Sequence, residues 1–267
     1  RRRHRSWPTL RHPSAALNVV SFFAPRPGHP FAMDYGPLID VLRFSCDRFG
    51  VEHILLTDDP ALDDQGDAFV TWLPEDLMPA YLTALADYVD AYPSTPSLLT
   101  GADCVLAKDP KVFDDALGDA DVVITVDDRF TDCRVNMGAI YVRRPDKLAT
   151  VMRDAVARCG VEWGDDQRAF RDALVASGLK VVELPCDDYN RAPASPFEDC
   201  RHAALLHFRG PRKQWMLSYC QKWLGLGDGV TVHAAPNSIE TDVFANVRAN
   251  ITRGLSEIGP VEAHDGH

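Results

Sequence analysis

The sequence predicts an α/β fold in which one mostly parallel sheet is flanked by helices. Short apolar stretches alternate with amphipathic helical patterns from residue 17 to about residue 208. The chain has 267 residues, of which 46% are hydrophobic and 25% are charged, as is usual for a globular protein with a buried core. These values exclude a wholly disordered, fibrous or coiled-coil protein. No internal repeat or long linker interrupts the alternation, which indicates one domain with a C-terminal extension.

The first part of the chain predicts four strands and two helices. Residues 17–23 form an almost continuous apolar run, as expected of a strand that is covered on both faces. Pro37 suits the first turn of a helix and Gly50 suits its end, and the apolar residues between them recur at helical spacing. We expect strands at 17–23, at 53–56, at 69–73 and from 98 into 101–106, and helices at 37–49 and 77–91.

The rest of the chain continues the same alternation. Residues 121–126 and 136–142 are dominated by β-branched residues, which favour strands. Further strands are expected at 180–184 and 203–208, and helices at 145–159, 166–177 and 238–255. We assign residues 1–16 to a flexible basic arm, 17–223 to the α/β domain and 224–267 to a helical extension.

Composition excludes several function classes. The formal net charge of −11 argues against broad, charge-driven binding of nucleic acid. No stretch approaches the roughly 18 consecutive apolar residues of a membrane span, so membrane insertion is not expected. The seven cysteines are an odd number without a C-x-x-C pair, which favours reduced thiols in a cytoplasmic protein over a zinc site or a disulfide framework.

Two acidic positions follow the strand that is predicted near residue 98. Ligands of open α/β sheets gather beyond the carboxyl ends of the strands, and an Asp there can ligate a hard divalent cation. Asp103 is therefore a candidate metal ligand, although an Asp in a loop also serves to cap a turn. Asp109 precedes Pro110 and a following helix, which favours an N-cap. Loop acidity is the simpler interpretation of Asp127 and Asp128.

Two further polar clusters stand at element boundaries. Asn136 offers donors and an acceptor to a hydroxyl-rich ligand, and Gly138 allows close approach to the backbone, although a simple turn before a strand has the same pattern. Asp166 and Gln167 begin a predicted helix. They could present a carboxylate and an amide rigidly to a ligand, or they could form an ordinary acidic helix start.

Residues 207–215 carry the sharpest single feature of the sequence. A buried strand ends at His207, and three cations follow at Arg209, Arg212 and Lys213. In an acidic chain, such a local cationic cluster indicates an anion site, most simply for phosphate, and His207 is also a capable metal ligand. The alternative is a solvated basic loop with a core-facing Trp215.

Taken in order, these clusters resemble a known family from about residue 17 to 223. The chain resembles nucleotide-sugar glycosyltransferases of the GT-A fold, especially the retaining, glycogenin-like and bacterial galactosyltransferase-like group. His207-Phe208-x-Gly210-x-x-Lys213-x-Trp215 is similar to its H-F-x-G-x-x-K-P-W signature, with Gln214 in place of Pro. Asn136-Met137-Gly138, Asp166-Gln167 and the segment from Leu184-Pro185 to Asn190 resemble its N-[ST]-G, D-Q and L-P…N motifs.

The resemblance implies roles for these residues. Asp103 and His207 would hold Mn²⁺ or Mg²⁺, with Lys213 and Gly210 beside the donor diphosphate. Asn136 and Gly138 would contact the sugar, and Asp166 or Gln167 would lie near the anomeric carbon or the acceptor. Ala24 and Tyr35 are candidates for the nucleoside pocket, where the ring of Tyr35 could stack on the base.

One departure from the family concerns its D-x-D metal motif. The expected position reads Gly101-Ala102-Asp103, so that only the last Asp remains and metal dependence is open. The helix at 77–91 also lacks the basic residue with which relatives often contact the donor phosphate.

The resemblance implies transfer of a sugar from a nucleotide diphosphate donor, a UDP-sugar, to an acceptor hydroxyl with retention of configuration. A catalytically silent relative that binds a nucleotide sugar or glycan is the alternative that Gly101 favours. A nucleotidyltransferase is a third reading, but residues 25–28 poorly match its usual Gly-rich, basic loop. The acceptor could be a glycan, a small molecule or a protein. The arginines at 1–12 also keep a modified nucleic acid open.

Overall fold

The computed structural model describes residues 17–25, 35–59, 62, 68–71 and 73–226. The predicted basic arm, the predicted helix at 238–255 and nearly all of the predicted extension lie outside the described residues. The domain boundary after residue 223 therefore stays a prediction.

A seven-stranded sheet forms the centre of the described chain. The strands, in chain order, are β1 (Asn18–Phe22), β2 (Glu52–Thr57), β3 (Ala68–Val70), β4 (Ser97–Gly101), β5 (Cys104–Leu106), β6 (Val122–Val126), β7 (Val135–Val142), β8 (Val181–Pro185) and β9 (Leu205–His207). The central sheet has the order β3-β2-β1-β4-β7-β6-β8, and β5 pairs with β9 in a separate two-stranded sheet. Strands lie at every predicted position, and the segment from 98 to 106 divides into β4 and β5.

The pairing confirms a mostly parallel sheet with one reversed strand. Strand β1 runs parallel to β2 and β4, β2 runs parallel to β3, and β6 runs parallel to β8. Strand β7 is antiparallel to both β4 and β6. The link between β6 and β7, residues 127–134, is too short for the crossover that a parallel neighbour requires. As a result, β7 begins at the edge where β4 and β6 end.

Helices cover both faces of the sheet. They are α1 (Gly36–Phe49), α2 (Leu77–Ala91), α3 (Lys111–Leu117), α4 (Pro145–Arg158), α5 (Asp165–Ser177) and the single turns α6 (Cys186–Tyr189) and α7 (Met216–Tyr219). A 3₁₀ helix, Gly210–Trp215, precedes α7, and a π-helical turn, Cys220–Leu224, follows it. Helix α1 ends at Gly50, whose φ of 65° is left-handed and suits glycine. Asp109 accepts a hydrogen bond from the backbone N of Lys111, in keeping with its predicted capping role.

The core is divided by the sheet because successive side chains of a strand point to opposite faces. Val20, Leu99 and Ile140 pack with α2, α4 and α5 on one face. Val19, Leu98 and Tyr141 pack with α1 and α3 on the other face. All eight residues of β7 are buried. This double coverage explains why the strands read as continuous apolar runs, and it leaves the ends of the strands as the place for polar side chains.

Candidate functional site

A cavity of about 540 Å³ lies at the edge of the sheet where β1, β4 and β6 end and β7 begins. Every predicted site residue except Gly210 lines it: Ala24, Tyr35, Asp103, Asn136, Gly138, Asp166, Gln167, His207 and Lys213. Gly210 instead has a left-handed φ of 63° and forms the turn that leads into the 3₁₀ helix carrying Lys213. Residues from six separate parts of the sequence thus share one cavity, and their individual roles stay predictions.

A buried charge cluster stands on one side of the cavity. Lys213 Nζ lies 2.6 Å from Asp103 Oδ2, and both side chains are about nine-tenths buried. His207 Nε2 lies 3.5 Å from Asp103 Oδ1, which is longer than a normal hydrogen bond. Burial acts to raise the pKa of Asp103, but His207 and Lys213 outweigh it and hold that pKa below its ordinary value. Asp103 is therefore a carboxylate at neutral pH.

The pairing of β5 with β9 brings these groups together. Cys104, next to Asp103, is the register partner of His207, and the backbone N of Phe208 donates to the carbonyl O of Asp103. The pairing of these two strands thus holds the side chains of Asp103 and His207 next to each other. Lys213 then reaches back to Asp103 from the following 3₁₀ helix.

Two glycines make room for this cluster. A Cβ at Gly101 would lie 2.5 Å from Asp103 Oδ1, and a Cβ at Gly138 would lie 2.4 Å from His207 Nδ1. Both distances are far inside van der Waals contact. Asp103 therefore takes up the space that a side chain at position 101 would need, which ties the missing first Asp of the D-x-D motif to the observed position of Asp103.

Asn136 and Gly138 lie in an irregular part of β7. The β6–β7 register shifts between Ile124 and Thr125, which pair with Ile140 and Asn136 respectively. The hydroxyl of Thr125 lies 3.1 Å from the carbonyl O of Asn136, to which it donates, and Thr125 accepts from Asn190 Nδ2 at 3.0 Å. Bulges of this kind re-aim side chains near active sites. Here the bulge turns Gly138 toward His207.

Only the oxygen of the Asn136 side-chain amide makes a hydrogen bond within the described part of the chain. Its Oδ1 accepts from the backbone N of Gly138 at 2.9 Å. Its Nδ2 makes no hydrogen bond within the described part of the chain and faces the cavity with the rest of the residue. Two N–H donors are consequently available for a hydroxyl-rich ligand.

The acidic start of α5 contains two carboxylates with different surroundings. Asp165 accepts from the backbone N of Glu162 and from Arg168, so it stabilises the start of the helix. Asp166 is buried, and its Oδ1 has no hydrogen-bond partner among the described residues. Burial raises the pKa of Asp166 to about 6. Asp165 therefore fits an ordinary acidic helix start, and Asp166 stays the candidate site residue of this segment.

Aromatic residues line the end of the cavity near β1. The ring of Tyr35 stacks on Phe23, with centroids 4.4 Å apart and ring planes at 21°. Tyr81 lies against Phe22, and its hydroxyl donates to the carbonyl O of Met137 at 3.0 Å. Ala24 is buried between β1 and the cavity. The predicted nucleoside pocket is therefore an aromatic, largely apolar surface.

The sequence did not predict that the segment after β6 lines the cavity. Asp127 is buried and lines the cavity, and it pairs with Arg129 at 2.7 Å and with Arg209 at 2.8 Å. Burial acts to raise the pKa of Asp127, but hydrogen bonds from both arginines lower it to about 2. Phe130 and Trp163 line the same cavity and are 46% and 65% exposed. Only the position of Asp127 after a strand could have signalled this group in the sequence.

The structure also divides the cationic cluster that the sequence predicted as one site. Lys213 contacts Asp103 beyond β4, whereas Arg209 contacts Asp127 beyond β6. Arg212 donates to the carbonyl O of Pro193 at 2.7 Å. The three cations therefore contact three different groups, namely two carboxylates and one backbone carbonyl.

Asp103 and His207 fit a divalent cation as ligands. Their ligand atoms and Cys104 Sγ all lie within 4.8 Å of one another. His207 Nδ1 is buried without a hydrogen-bond partner among the described residues, and Asp103 is a carboxylate. Cys104 fits less well, because burial raises the pKa of its thiol and hard cations prefer oxygen ligands. Asp103 and His207 are therefore the residues that would hold a divalent cation.

Comparison with solved structures establishes the fold. The chain is similar to a glycosyltransferase involved in the glycosylation of the major capsid of PBCV-1, with a TM-score of 0.54 and 12% identity over 75% of this chain and 98% of that chain. It is also similar to the glycosyltransferase GlyE of Streptococcus pneumoniae TIGR4, with a TM-score of 0.50 and 15% identity over 78% of this chain and 63% of that chain. No protein-family profile and no curated protein sequence matches it.

These neighbours confirm the predicted GT-A fold. At this level of identity they establish the fold alone. Among the helices that the structure describes, none has the length and apolar character needed to cross a bilayer.

Proposed function

We propose that this protein is a glycosyltransferase that moves a sugar from a nucleotide diphosphate donor, a UDP-sugar, to an acceptor hydroxyl. One observation carries the proposal. The buried Asp103–Lys213 pair and His207 face the same cavity as the buried carboxyl of Asp166, at the strand ends of a GT-A fold. A fixed ammonium group and an isolated carboxyl in one cavity provide the two kinds of group that transfer from a diphosphate requires.

The leaving diphosphate gains negative charge as its bond to the sugar breaks, and a preorganised cation stabilises that charge. Lys213 is such a cation, because its contact with Asp103 holds the ammonium in place. A divalent cation such as Mn²⁺ or Mg²⁺, held by Asp103 and His207, would supply Lewis-acid stabilisation of the same charge. Gly101 leaves that cation without a second carboxylate from the D-x-D position.

The donor sugar is placed between the diphosphate and α5. Asn136 donates from Nδ2 to sugar hydroxyls, and the bare backbone of Gly138 allows the sugar to come close. Asp166 and Gln167 lie beside the anomeric carbon, and the reaction retains the configuration there. The nucleoside lies along Ala24 and Tyr35, where the aromatic rings cover one face of the base.

A second candidate function is binding of a nucleotide sugar without turnover, and Gly101 favours it. Calorimetry with UDP, followed by assay of UDP-sugar hydrolysis and transfer in the presence of Mn²⁺, separates the two. Turnover supports the transferase. Measurable UDP binding with no hydrolysis or transfer of any UDP-sugar supports the binding module.

The donor site is tested by two variants with matched controls. His207→Ala and Lys213→Ala should each lower donor turnover at least 100-fold while the protein stays folded by circular dichroism. His202→Ala and Lys108→Ala change the same residue types outside the cavity lining and should retain the wild-type rate. Wild-type turnover in His207→Ala or Lys213→Ala would remove the basis of the proposed donor site.

A further inference from the structure

Three arginines gather beside the proposed donor site, and they are here called the arginine cluster: Arg129, Arg209 and Arg212. Arg129 binds Asp127 in a bidentate manner, with Nε at 2.7 Å from Oδ1 and Nη2 at 2.8 Å from Oδ2. Arg209 Nη2 binds Asp127 Oδ2 at 2.8 Å. The guanidinium of Arg209 also lies 5.0 Å from the ring centroid of Phe130, and both of these residues line the cavity.

Arg212 is the member whose charge is least compensated. It donates to the carbonyl O of Pro193, and within the described ranges it forms no ion pair. Burial, followed by the nearby charges of Arg209 and Arg129, lowers the pKa of Arg212. A partly desolvated cation with two like charges beside it gains stability from a bound anion.

The surrounding carboxylates do not neutralise the arginine cluster. Asp187 and Glu198 both pair with another arginine, Arg191. Arg129 and Arg209 share the single carboxylate of Asp127, which leaves 2 − 1 = +1 for this group. In a chain of net charge −11 this is a local excess of positive charge.

The arginine cluster and the proposed diphosphate site lie beyond the ends of different strands. Lys213 contacts Asp103 just beyond β4, and Arg209 contacts Asp127 just beyond β6. Strand β7 lies between these two strands, so their ends are separated by two interstrand spacings, about 10 Å. An anion at the arginine cluster is therefore a different group from the donor diphosphate.

We propose that the arginine cluster binds an anionic group, a phosphate or a carboxylate, carried by the acceptor. The planar guanidinium groups suit both of these groups because they can donate two parallel hydrogen bonds. The half-exposed ring of Phe130 beside Arg209 gives a substrate access from solvent. This proposal rests on the proposed transferase function and specifies the class of its acceptor.

Calorimetry with inorganic phosphate tests the arginine cluster, with the donor site first saturated with UDP. Phosphate should bind the UDP-saturated wild type, and Arg209→Gln and Arg212→Gln should each weaken it at least fivefold. Arg212→Gln retains a donor for Pro193 and serves if Arg209→Gln fails to fold. Arg201→Gln is the control, because Arg201, like Arg209, pairs with an aspartate but lies outside the cavity lining.

Two further titrations identify the molecule that carries the anion. If the acceptor carries it, glucose 6-phosphate binds the UDP-saturated protein at least tenfold more tightly than glucose, and Arg209→Gln removes the difference. If Arg209→Gln instead weakens only UDP-glucuronate relative to UDP-glucose, the anion belongs to the donor and the proposal is overturned. Equal phosphate binding by the wild type, Arg209→Gln and Arg212→Gln overturns it as well.

The two proposals fail in different ways. If the wild type does not bind UDP, the proposed donor site is rejected. Phosphate is then titrated into the protein without UDP. A fivefold loss in Arg209→Gln under that condition would retain the anion site, whereas no loss would reject it.

Discussion

Gly138 lies directly against the imidazole of His207. A Cβ at position 138 would come within 2.4 Å of Nδ1 and 2.5 Å of Cε1 of that ring. The β7 bulge, held by Thr125, sets the position of Gly138, while the β5–β9 pairing sets the position of His207. Two separate sheets therefore meet at this contact, and the orientation of His207 depends on the absence of a side chain at position 138.

Gly138→Ala should consequently impair the site through His207. The new methyl group forces the imidazole to move, and we expect UDP-sugar turnover to fall 10- to 100-fold while the circular dichroism spectrum is retained. The measurement is a double-mutant cycle with His207→Ala. Because both changes act on the same ring, the double variant should be little slower than His207→Ala alone. Fully additive losses would contradict the coupling.

Asp166→Asn should stabilise the protein and reduce its activity. Burial raises the folded-state pKa of Asp166 to about 6, above the ordinary value of 3.8. The folded protein therefore retains a proton that the unfolded chain has lost, and stability falls as pH rises from about 4 to about 6. At 1.36 kcal/mol for each pKa unit, this costs on the order of 3 kcal/mol above pH 6.

Urea unfolding of Asp166→Asn at pH 4 and pH 7.5 measures that cost. The variant should be more stable than the wild type at pH 7.5, and the difference should shrink toward zero at pH 4. Asp172→Asn, which changes an exposed carboxylate of the same helix, is the control and should show no such dependence. A stability difference that is the same at both pH values would refute burial as its source.

Much of the fold could be predicted from the sequence because most of its strands, with β8 as an exception, are buried on both faces. The apolar runs at 17–23 and 136–142 closely predict β1 and β7, and the helical spacing at 77–91 gives α2. The direction of β7 was not predicted, because an apolar run is the same in parallel and antiparallel pairing. The direction of β7 decides at which edge of the sheet Asn136 lies. The grouping of Asn136 with the other site residues could therefore not be predicted without the strand directions.

The part of the candidate site that could be predicted consists of residues that belong to one short sequence motif. His207 and Lys213 belong to one signature, and both line the cavity with Asp103. The Asp127–Arg209 contact spans 82 residues and leaves no pattern in either segment. The same holds for the Asn190–Thr125 hydrogen bond, which spans 65 residues. Long-range polar contacts of this kind depend on which strands become neighbours.

Gly101→Asp should make the protein more dependent on a divalent cation. A Cβ at position 101 would lie 2.5 Å from Asp103 Oδ1, so Asp103 must shift, and the new carboxylate adds a like charge beside it. A cation bound by both carboxylates relieves this repulsion. We expect a lower melting temperature without metal and Mn²⁺ binding at least tenfold tighter than in the wild type, measured by calorimetry and thermal unfolding with added Mn²⁺.

Gly101→Ala is the control for this change, because it introduces the same Cβ without a carboxylate. It should lower the melting temperature but leave the Mn²⁺ affinity unchanged. If Gly101→Ala and Gly101→Asp respond equally to Mn²⁺, the effect comes from crowding of Asp103 and the cation site is placed elsewhere.

Trp163→Ala should weaken acceptor use without weakening donor binding. Trp163 is 65% exposed, lines the cavity and precedes the start of α5. An exposed aromatic ring that lines the proposed sugar-binding cavity offers a flat apolar face to a sugar. Its side chain is little buried, so truncation should change the free energy of unfolding by less than about 0.5 kcal/mol. We expect the KM for a glycoside acceptor to rise about tenfold.

Initial rates with a panel of glycosides at saturating donor, together with calorimetry of UDP, separate the two effects of Trp163→Ala. UDP affinity should match that of the wild type, because the aromatic pocket near β1 is formed by other residues, Phe23 and Tyr35 among them. Phe197→Ala is the matched control, since Phe197 is 73% exposed and lies outside the cavity lining. An equal rise in KM for both variants would show that loss of exposed aromatic surface in general is responsible. A loss of UDP affinity in Trp163→Ala alone would place Trp163 in the donor site instead.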